Sequence, residues 1–357
     1  MKHWQESTRI FDRIAALADA GEPAVLATVV RIAGSSYRRP GAKLLIEPNG
    51  HTLGGVSGGC LEADVRENAL TALRDGRPRL LAYETGGDEQ TVWGLGLGCN
   101  GSIEVFVQPL GDVTAGAVRA IRDALRGDRA FAIASTVAPP EHAGAIVVAG
   151  EDGTIAVGDP ALGRTARAAA ARGLAAAAPT LDEQGGIRVF VDVLAPPPWV
   201  LVCGAGDDAI PVARFAAHVG FRVAVADHRP SYLTRERFPD AARLHAGRAD
   251  APCDDLPAGA DTFAVVMNHS LLHDREWSRR LLARHTRYVG LLGPRDRTDQ
   301  IVEAIGGAHD QVFGPVGLDL GADGPEQVAL SVVAELLAVH GGRSPGHLRD
   351  RASAIHA

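Results

Sequence analysis

The 357-residue sequence has few cysteines, no excess of basic residues and no long apolar run. Its formal net charge of −7 argues against a nucleic-acid-binding protein, which would need a basic surface to neutralise phosphates. No uninterrupted apolar stretch approaches the roughly eighteen residues that a membrane-spanning helix needs. Residues 1–20 are amphipathic and lack the apolar core of a signal peptide. We therefore expect a cytoplasmic protein that binds neither nucleic acid nor membrane.

The sequence contains only 4 cysteines, and none of them forms a CxxC pair. A reducing compartment argues against structural disulfides, so each thiol is interpreted separately. Cys203 ends an apolar run, which indicates a core residue, whereas Cys253 lies in a polar stretch without a recognisable pattern. Cys60 and Cys99 lie in glycine-rich segments, which makes them the thiols of interest.

The clearest motif is WVLVCGAGDDA, from Trp199 to Ala209. An apolar run predicts a buried strand, and Gly204 and Gly206 then begin the GxGxxA pattern that turns a strand into a helix. Asp227 follows at the end of the next apolar run, at the spacing typical of a carboxylate that binds a ribose diol. The motif predicts a dinucleotide-type fold in this part of the chain.

Three consecutive prolines, Pro196–Pro198, predict a domain boundary because they cannot continue a helix or a central strand. We expect an N-terminal domain over residues 1–195, a Rossmann-like domain over 199–342 and a loose polar tail over 343–357. Downstream of the prolines, apolar runs alternate with helical patterns, which predicts a doubly wound parallel sheet.

The N-terminal domain is predicted to be mixed α/β and contains internal echoes, which indicate a degenerate duplication or chance similarity in an alanine-rich sequence. The echoes pair Ala24–Val30 with Ala132–Val137, and Ile103–Gln108 with Ile187–Asp192. Each copy is expected to contain one helix, at Leu61–Arg74 and at Leu162–Ala171. The order of the strands cannot be predicted from these patterns.

Glycine-rich segments in the first copy have no equivalent in the second. They are residues 34–43, 54–62 and 94–101. Glycine at this density costs chain entropy and is favoured where backbone must come close to a ligand. Exposed amides there could form anion-binding nests, with Arg38, Arg39 and Lys43 adding positive charge. Tight turns between short strands are the alternative interpretation.

Cys60 directly precedes an amphipathic helical pattern, where free amides and the helix dipole favour a thiolate. Cys99 lies in a GCNG segment, where no packing role for its side chain is evident. A single cysteine is usually structural, but two in the loops of one copy favour reactive or metal-ligating thiols. We take both as candidate catalytic or metal-ligating residues, and Gly58, Gly59 and Gly98 as candidate cofactor-binding residues.

Further candidates follow the strands of the Rossmann-like domain. Arg229 comes directly after Asp227, so a ligand with sugar hydroxyls and a phosphate would fit both, although a surface salt bridge is the alternative. Arg295 follows a later strand at the same edge and is a second phosphate candidate. Polar residues after another strand indicate either a ligand site or a helix cap, and their two histidines are too few to predict zinc. They are Asn268, His269, His273 and Asp274.

Four segments together resemble the XdhC/CoxI proteins. They are ATVVRIAGSSYRRPGAKLLI, GGVSGGCLEADV, LGLGCNGSIEVFVQPL and FGPVGLDLGADGPEQVALSVVAELLAVHGGR. The resemblance implies a protein that binds the molybdenum cofactor and assists maturation of a molybdenum hydroxylase such as xanthine dehydrogenase. It also implies that the protein supports sulfuration of the cofactor by a cysteine desulfurase before insertion. The matching positions are Cys60, Cys99, Gly204 and Gly206, and the resemblance makes Cys60 and Cys99 candidate molybdenum ligands.

Three functions fit these observations. The leading one is a non-enzymatic molybdenum-cofactor carrier, whose partners are the hydroxylase apoenzyme and a cysteine desulfurase. An NAD(P)-dependent oxidoreductase would use Gly204, Gly206 and Asp227 but would leave Cys60 and Cys99 unexplained. A non-catalytic nucleotide sensor would leave both thiols replaceable. The sequence leaves open whether the chain forms a homodimer.

Overall fold

A computed structural model gives the structure of this protein. It describes residues 1–34, 38–59, 61–84, 101–150, 153–157, 160–251, 253 and 255–351. The chain divides into an N-terminal unit, Lys2–Pro196, and a C-terminal unit, which comprises Met1 and Pro197–Ala357. The division falls inside the proline run.

The N-terminal unit contains two successive sets of elements. The first set is α1 (Lys2–Asp19), β1 (Ala24–Gly34), β2 (Lys43–Ile46), β3 (Thr52–Gly54), α2 (Glu62–Asp75), β4 (Arg79–Glu84) and β5 (Gly101–Leu110). The second set is α3 (Asp112–Leu125), β6 (Phe131–Ala138), β7 (Ile146–Gly150), β8 (Gly153–Val157), α4 (Pro160–Ala176), β9 (Thr180–Gln184) and β10 (Ile187–Leu194). A short 3-10 helix, Pro140–His142, follows β6.

The two sets form two antiparallel sheets with the same topology. The strand orders are β3-β2-β1-β5-β4 and β8-β7-β6-β10-β9, so each strand has a counterpart in the other sheet. The structure therefore has the repeat that the sequence echoes indicated. Each copy contains two helices rather than the one expected, because α1 and α3 precede the first strand of their copies.

Side chains that point alternately to the two faces of each strand form the core of this unit. In β1, Val25 and Val29 pack with α2 on one face of the first sheet, whereas Leu26 joins the cluster formed with α1 and α3 on the other face. Phe106 and Phe190, from β5 and β10, meet in a smaller cluster between the sheets. The helices α2 and α4 thus cover the outer faces, and both inner faces share one apolar interior.

The C-terminal unit alternates strands and helices. Its elements are β11 (Trp199–Cys203), α5 (Ala209–Val219), β12 (Arg222–Asp227), β13 (Arg243–Ala246), β14 (Thr262–Val266), α6 (Leu271–Ala283), β15 (Tyr288–Leu291), α7 (Arg295–Ala304), β16 (Val312–Phe313) and α8 (Pro325–His340). Short 3-10 helices lie at Pro230–Tyr232 and Leu348–Asp350.

The six strands of this unit form a parallel sheet in the order β13-β12-β11-β14-β15-β16. All five residues of β11 are buried, as expected for a central parallel strand covered on both faces. The chain reverses its direction of strand addition between β11 and β14, and such a switch point opens a crevice at the carboxyl edge. This sheet confirms the predicted Rossmann-like fold.

Two helices of this unit, α6 and α7, begin at Leu271 and at Arg295. Ser270 is the N-cap of α6, and its side chain accepts a hydrogen bond from the backbone amide of His273. The helix therefore begins at apolar residues after a serine cap rather than at its first acidic residue.

Candidate functional site

The loop between β3 and α2 is fastened by a serine and a glutamate. The Ser57 hydroxyl accepts hydrogen bonds from the amides of Gly59 (3.2 Å) and Leu61 (3.0 Å) and donates to Glu62 Oε2. Glu62 Oε1 in turn accepts from the amides of Val56 (3.2 Å) and Ser57 (2.8 Å). Burial alone would raise the pKa of Glu62, but these hydrogen bonds lower it below its usual value. The loop is thus closed on an ionised carboxylate.

Cys60 lies in the sequence between two residues whose amides Ser57 holds. Cys60 itself, Cys99 and Gly98 lie outside the described residues, so their predicted roles rest on the sequence. Gly58 and Gly59 are exposed, and a Cβ atom added to Gly59 would meet no atom within 4 Å. The described part of the loop is therefore fastened at both flanks and open to a ligand at its tip.

Two of the cations expected near the glycine loops are already engaged by carboxylates. Arg38 donates two hydrogen bonds to Glu6, at 2.6 and 2.7 Å. Lys43 is only 4% exposed and donates to Asp192 and to the carbonyl oxygen of Gly41. Arg38 thus holds the segment before β2 to α1, and Lys43 holds β2 to β10. Neither charge lines an anion site, which corrects the expectation from sequence.

In the C-terminal unit, the glycine turn after β11 lies at the predicted edge of the sheet. Gly204 has φ +122°, a backbone conformation that side-chain-bearing residues rarely adopt. A Cβ atom at Gly204 would also come within 2.7 Å of the carbonyl oxygen of Met267 in the neighbouring loop. Glycine is therefore required here for close approach of the loops that follow β11 and β14.

Asp227 ends β12 and is 1% exposed. Its Oδ2 accepts from the amide of Ala205 (2.7 Å) and from Arg229 Nη2 (2.8 Å). Its Oδ1 accepts from the amide (2.8 Å) and the Nε (2.9 Å) of Arg229. Burial alone would raise the pKa of Asp227, but Arg229 and the backbone amides lower it to about 2. The predicted ribose-binding carboxylate is ionised and already accepts four hydrogen bonds.

A second arginine fastens the glycine turn from the same segment. Arg237 Nη2 donates to the carbonyl oxygen of Ala205 (3.0 Å) and to Asp207 Oδ1 (2.9 Å). The guanidinium groups of Arg229 and Arg237 lie 4.0 and 5.1 Å from the centroid of the Tyr232 ring. Asp227 and Arg237 therefore hold the amide and the carbonyl oxygen of Ala205, respectively.

Asp274, Asn268 and Arg297 form a network beside this turn. The buried Asp274 Oδ1 accepts from the amide and from the Nδ2 of Asn268, each at 3.0 Å. Arg297 Nη2 donates to Asp274 Oδ2 (2.5 Å) and to the carbonyl oxygen of Asn268 (3.1 Å). Burial raises the pKa of Asp274 despite these partners. Asp274 is thus a structural link between β14, α6 and α7.

The arginine that reaches this network is Arg297, whereas the sequence pointed to Arg295. Arg295 is exposed at the first position of α7, and the two side chains leave the helix in different directions. Arg297 can fold back because a Cβ atom at Gly293 would come within 2.8 Å of its Cδ. In the sequence, only the dipeptide Gly293–Pro294 indicates that a side chain packs closely against the backbone here. It does not indicate that this side chain is Arg297.

Histidines from two loops also meet at this edge. The rings of His228 and His273 are edge to face, with centroids 4.6 Å apart. Burial lowers the pKa of His228, and the neighbouring charges of His273, Arg229 and Arg248 act in the same direction. Asp227, at 3.3 Å from His228 Nδ1, opposes this shift.

Cys203 and Cys253 are buried thiols of the C-terminal unit, which confirms the core position predicted for Cys203. Burial raises the pKa of Cys203 well above its usual value, so it remains a thiol. Within the described ranges, no three histidine, cysteine or acidic side chains are placed to hold a metal ion. No described helix is long and apolar enough to cross a membrane.

Known proteins match both units of this chain. A model of the XdhC and CoxI family matches residues 17–84, and a model of the XdhC Rossmann domain matches residues 200–336. In Bacillus subtilis (strain 168), a probable subunit of xanthine dehydrogenase is 33% identical over 325 residues, which cover 90% of this chain and 94% of that protein. The chain belongs to the XdhC and CoxI family.

Two further proteins are similar to this XdhC and CoxI family member. The molybdenum cofactor insertion chaperone PaoD of Escherichia coli (strain K12) is 35% identical over 91 residues, which cover 26% of this chain and 28% of PaoD. A crystal structure of a xanthine dehydrogenase from Bacillus halodurans matches with a TM-score of 0.77 and 27% identity. That match covers 97% of this chain and 98% of the other.

The family matches include both candidate sites. The match over residues 17–84 contains the Ser57–Glu62 loop and Cys60, whereas Cys99 lies beyond its end. The Rossmann-domain match over residues 200–336 contains the glycine turn, Asp227 and Arg297. Membership in the XdhC and CoxI family therefore covers the residues on which the two sites depend, and it assigns no role to any one of them.

Proposed function

We propose that this protein binds the molybdenum cofactor and assists its insertion into a hydroxylase of the xanthine dehydrogenase type. The observation that carries the proposal is the fastened glycine loop at Val56–Glu62, which lies inside the XdhC and CoxI family match. The names of two relatives, one a molybdenum cofactor insertion chaperone and the other a probable xanthine dehydrogenase subunit, support the same function.

The donor chemistry of the loop suits this cofactor. Molybdenum held by a dithiolene is a soft centre, and a thiolate such as that of Cys60 or Cys99 is a suitable additional ligand. The exposed Gly58 and Gly59 let a bulky pterin approach the backbone without a side chain in the way. Glu62 and Ser57 fasten the flanks of the loop, which reduces the ordering entropy that binding would otherwise cost.

The proposed partners follow from this role. A carrier of an oxygen-sensitive cofactor would receive sulfur for the metal from a cysteine desulfurase and would then deliver the cofactor to the apoenzyme. Cys60 and Cys99 are proposed to hold the cofactor during this time. A non-enzymatic function is consistent with a loop that closes on Ser57 and Glu62 and leaves neither of these side chains as an evident acid or base.

Anaerobic equilibrium binding of isolated molybdenum cofactor tests the proposal. We expect the wild-type protein to retain molybdenum and pterin in equal amounts, and the Cys60→Ala/Cys99→Ala variant to bind at least about tenfold more weakly because the thiolate ligands are gone. Cys253→Ala, which removes a buried thiol of the C-terminal unit, is the matched control and should bind like the wild type.

Activation of hydroxylase apoenzyme by the loaded protein provides a second readout. Unchanged cofactor retention and unchanged activation in the double-cysteine variant would contradict the assigned thiols. Absence of cofactor retention by the wild-type protein would contradict the proposed function itself.

A further inference from the structure

The Rossmann-like fold of the C-terminal unit implies NAD(P), and the structure allows that implication to be tested at three places. A dinucleotide needs a carboxylate with free acceptor positions for the ribose diol, and it needs open space at the second glycine of the turn. It also needs a helix N-terminus that favours an anion, where the pyrophosphate lies. All three places lie among the described residues.

The ribose position is filled by the chain itself. Each oxygen of Asp227 accepts two hydrogen bonds, from the amide of Ala205 and from three N–H groups of Arg229. A carboxylate has about four acceptor positions, so a ribose hydroxyl would have to displace Arg229. Because the pair is bidentate and Asp227 is buried, that displacement would break the strongest type of protein hydrogen bond.

The space at the second glycine is also occupied. A Cβ atom at Gly206 would lie 2.6 Å from Asp208 Oδ1 and 3.4 Å from His269 Nε2. The absence of a side chain at Gly206 therefore makes room for the chain's own carboxylate and imidazole. A pyrophosphate approaching this backbone would collide with the same two groups.

The charge at the start of α5 is unfavourable for a pyrophosphate. Asp207 and Asp208 directly precede the helix, where an incoming anion would normally be stabilised. Arg237 neutralises Asp207, whereas Asp208 Oδ1 is buried and has no hydrogen-bond partner within the described part of the chain. An incoming pyrophosphate would therefore meet a carboxylate of like charge.

We infer that the C-terminal unit is a dinucleotide fold that rejects NAD(P), and that Arg229 determines this specificity by occupying the ribose-binding face of Asp227. Asp208 completes the exclusion at the pyrophosphate position. This inference does not depend on the proposed cofactor function, because it concerns only the crevice after β11 and β12. The Rossmann-like domain of this chain is then a scaffold whose fingerprint is satisfied internally.

Fluorescence titration of the full-length protein with NADH, and in parallel with NADPH, tests the inference. Three variants are compared with the wild type: Arg229→Ala, Asp208→Gly and their combination. Arg235→Ala is the matched control, because Arg235 belongs to the same segment but donates to the carbonyl oxygen of Ala241 rather than to Asp227. Circular dichroism and thermal unfolding check the fold, and Arg229→Gln, which keeps one donor toward Asp227, replaces Arg229→Ala if that variant unfolds.

We expect no saturable binding by the wild type or by Arg235→Ala at nucleotide concentrations up to about 1 mM. The combined variant should bind NADH saturably, with a Kd at least about tenfold below that limit. The gain should favour NADH over NADPH, because a freed Asp227 accepts a diol but repels a 2′-phosphate. Micromolar binding of either nucleotide by the wild type would overturn the inference. Equal non-binding by all folded variants would overturn the role assigned to Arg229.

Discussion

In the first half of the N-terminal unit, β5 carries Gln108 opposite Leu26 of β1, and in the second half β10 carries Asp192 opposite Ile133 of β6. Gln108 and Asp192 occupy matching positions, because they are the last residues of the echoed segments Ile103–Gln108 and Ile187–Asp192. One half thus has a neutral amide where the other has a shorter, charged carboxylate, and both side chains are buried.

A second pair of matching positions differs in the same way. Lys43 of β2 lies opposite Thr28, and Ile146 of β7 lies opposite Ser135. The first half therefore has a buried cation where the second has a buried apolar side chain.

The contacts explain why these differences occur together. Gln108 Nε2 donates to the carbonyl oxygen of Gly144 at 2.8 Å, so the first half reaches into the second through a neutral hydrogen bond. At the matching contact, Asp192 of the second half reaches into the first half, where it accepts from Lys43, which also donates to Gly41 O. A buried charge without its partner is strongly destabilising, so a lysine at one position requires a carboxylate at the other. In this repeat, therefore, the difference between Lys43 and Ile146 is coupled to the difference between Asp192 and Gln108.

The ionic side of the repeat also includes His3 of α1, whose Nε2 lies 2.8 Å from Asp192 Oδ1. Burial alone would raise the pKa of Asp192, but Lys43 and His3 lower it to about 2. The lining of a cavity of about 30 Å³ between the two sheets is mostly apolar and includes five polar side chains, those of Thr28, Lys43, Gln108, Ser135 and Asp192. A cavity of this size has room for water beside these polar groups.

The largest expected effect comes from Lys43→Ile, which places the residue of the second half in the first. We expect a loss of about 3–5 kcal/mol in the free energy of unfolding, because Asp192 would be left buried without its ammonium partner. Urea unfolding followed by circular dichroism measures the change. The control is Lys43→Ile/Asp192→Gln, whose introduced amide can donate to Gly41 O as Gln108 does to Gly144 O. Equal losses in the single and double variants would show that the two positions are not coupled.

The acid dependence of stability should differ between the ionic and the neutral versions of this contact. Because the folded pKa of Asp192 lies below its unfolded value, the ionised carboxylate stabilises the fold above about pH 4. That contribution, roughly 2 kcal/mol, is lost as the pH falls from about 4 toward 2. Urea midpoints measured across this window should fall more steeply for the wild type than for Lys43→Ile/Asp192→Gln. The contribution of Asp227 is common to both proteins and cancels, so parallel profiles would contradict the prediction.

The smallest effect is expected at Gly41 and Gly144, which lie at matching positions in the two halves. Gly41 (φ +94°) and Gly144 (φ +99°) share a left-handed backbone, so alanine at either position should cost about 1–2 kcal/mol. A Cβ atom at Gly41 would also come within 2.7 Å of Asp192 Oδ1, whereas at Gly144 it would lie 3.4 Å from Gln108 Nε2. The Tm of Gly41→Ala should therefore be lower than the Tm of Gly144→Ala. A lower Tm for Gly144→Ala would contradict this prediction, because it would mean that the backbone is packed more tightly against Gln108 than against Asp192.

Much of the fold could be predicted because its signals are local. The apolar runs and the glycine turn predicted β11 and β12, which the structure contains at those residues. The echoes between the strand segments indicated the repeat. The helices α1 and α3 lie outside the echoed segments, and their equivalence follows from the common topology of the two halves.

The candidate site was predictable by position but not by contact. Asp227 was placed correctly at the end of its strand, yet its four hydrogen bonds come from Ala205 and Arg229. At α7 the pattern indicated Arg295, but helix direction turned Arg297 toward Asp274. Which of two neighbouring arginines reaches a carboxylate depends on the packing of α6 against α7, and no spacing rule contains that information.

The sequence by itself determined the periodicities, the turns and the family, because these depend on residues close together along the chain. Only the tertiary structure decided which charges meet: Lys43 and Asp192 are 149 positions apart, and Arg229 turns back onto a carboxylate that the motif reserves for a ligand. Burial removes water from these groups and makes an unpaired charge costly. The pairing of the charges is therefore set by the packed fold.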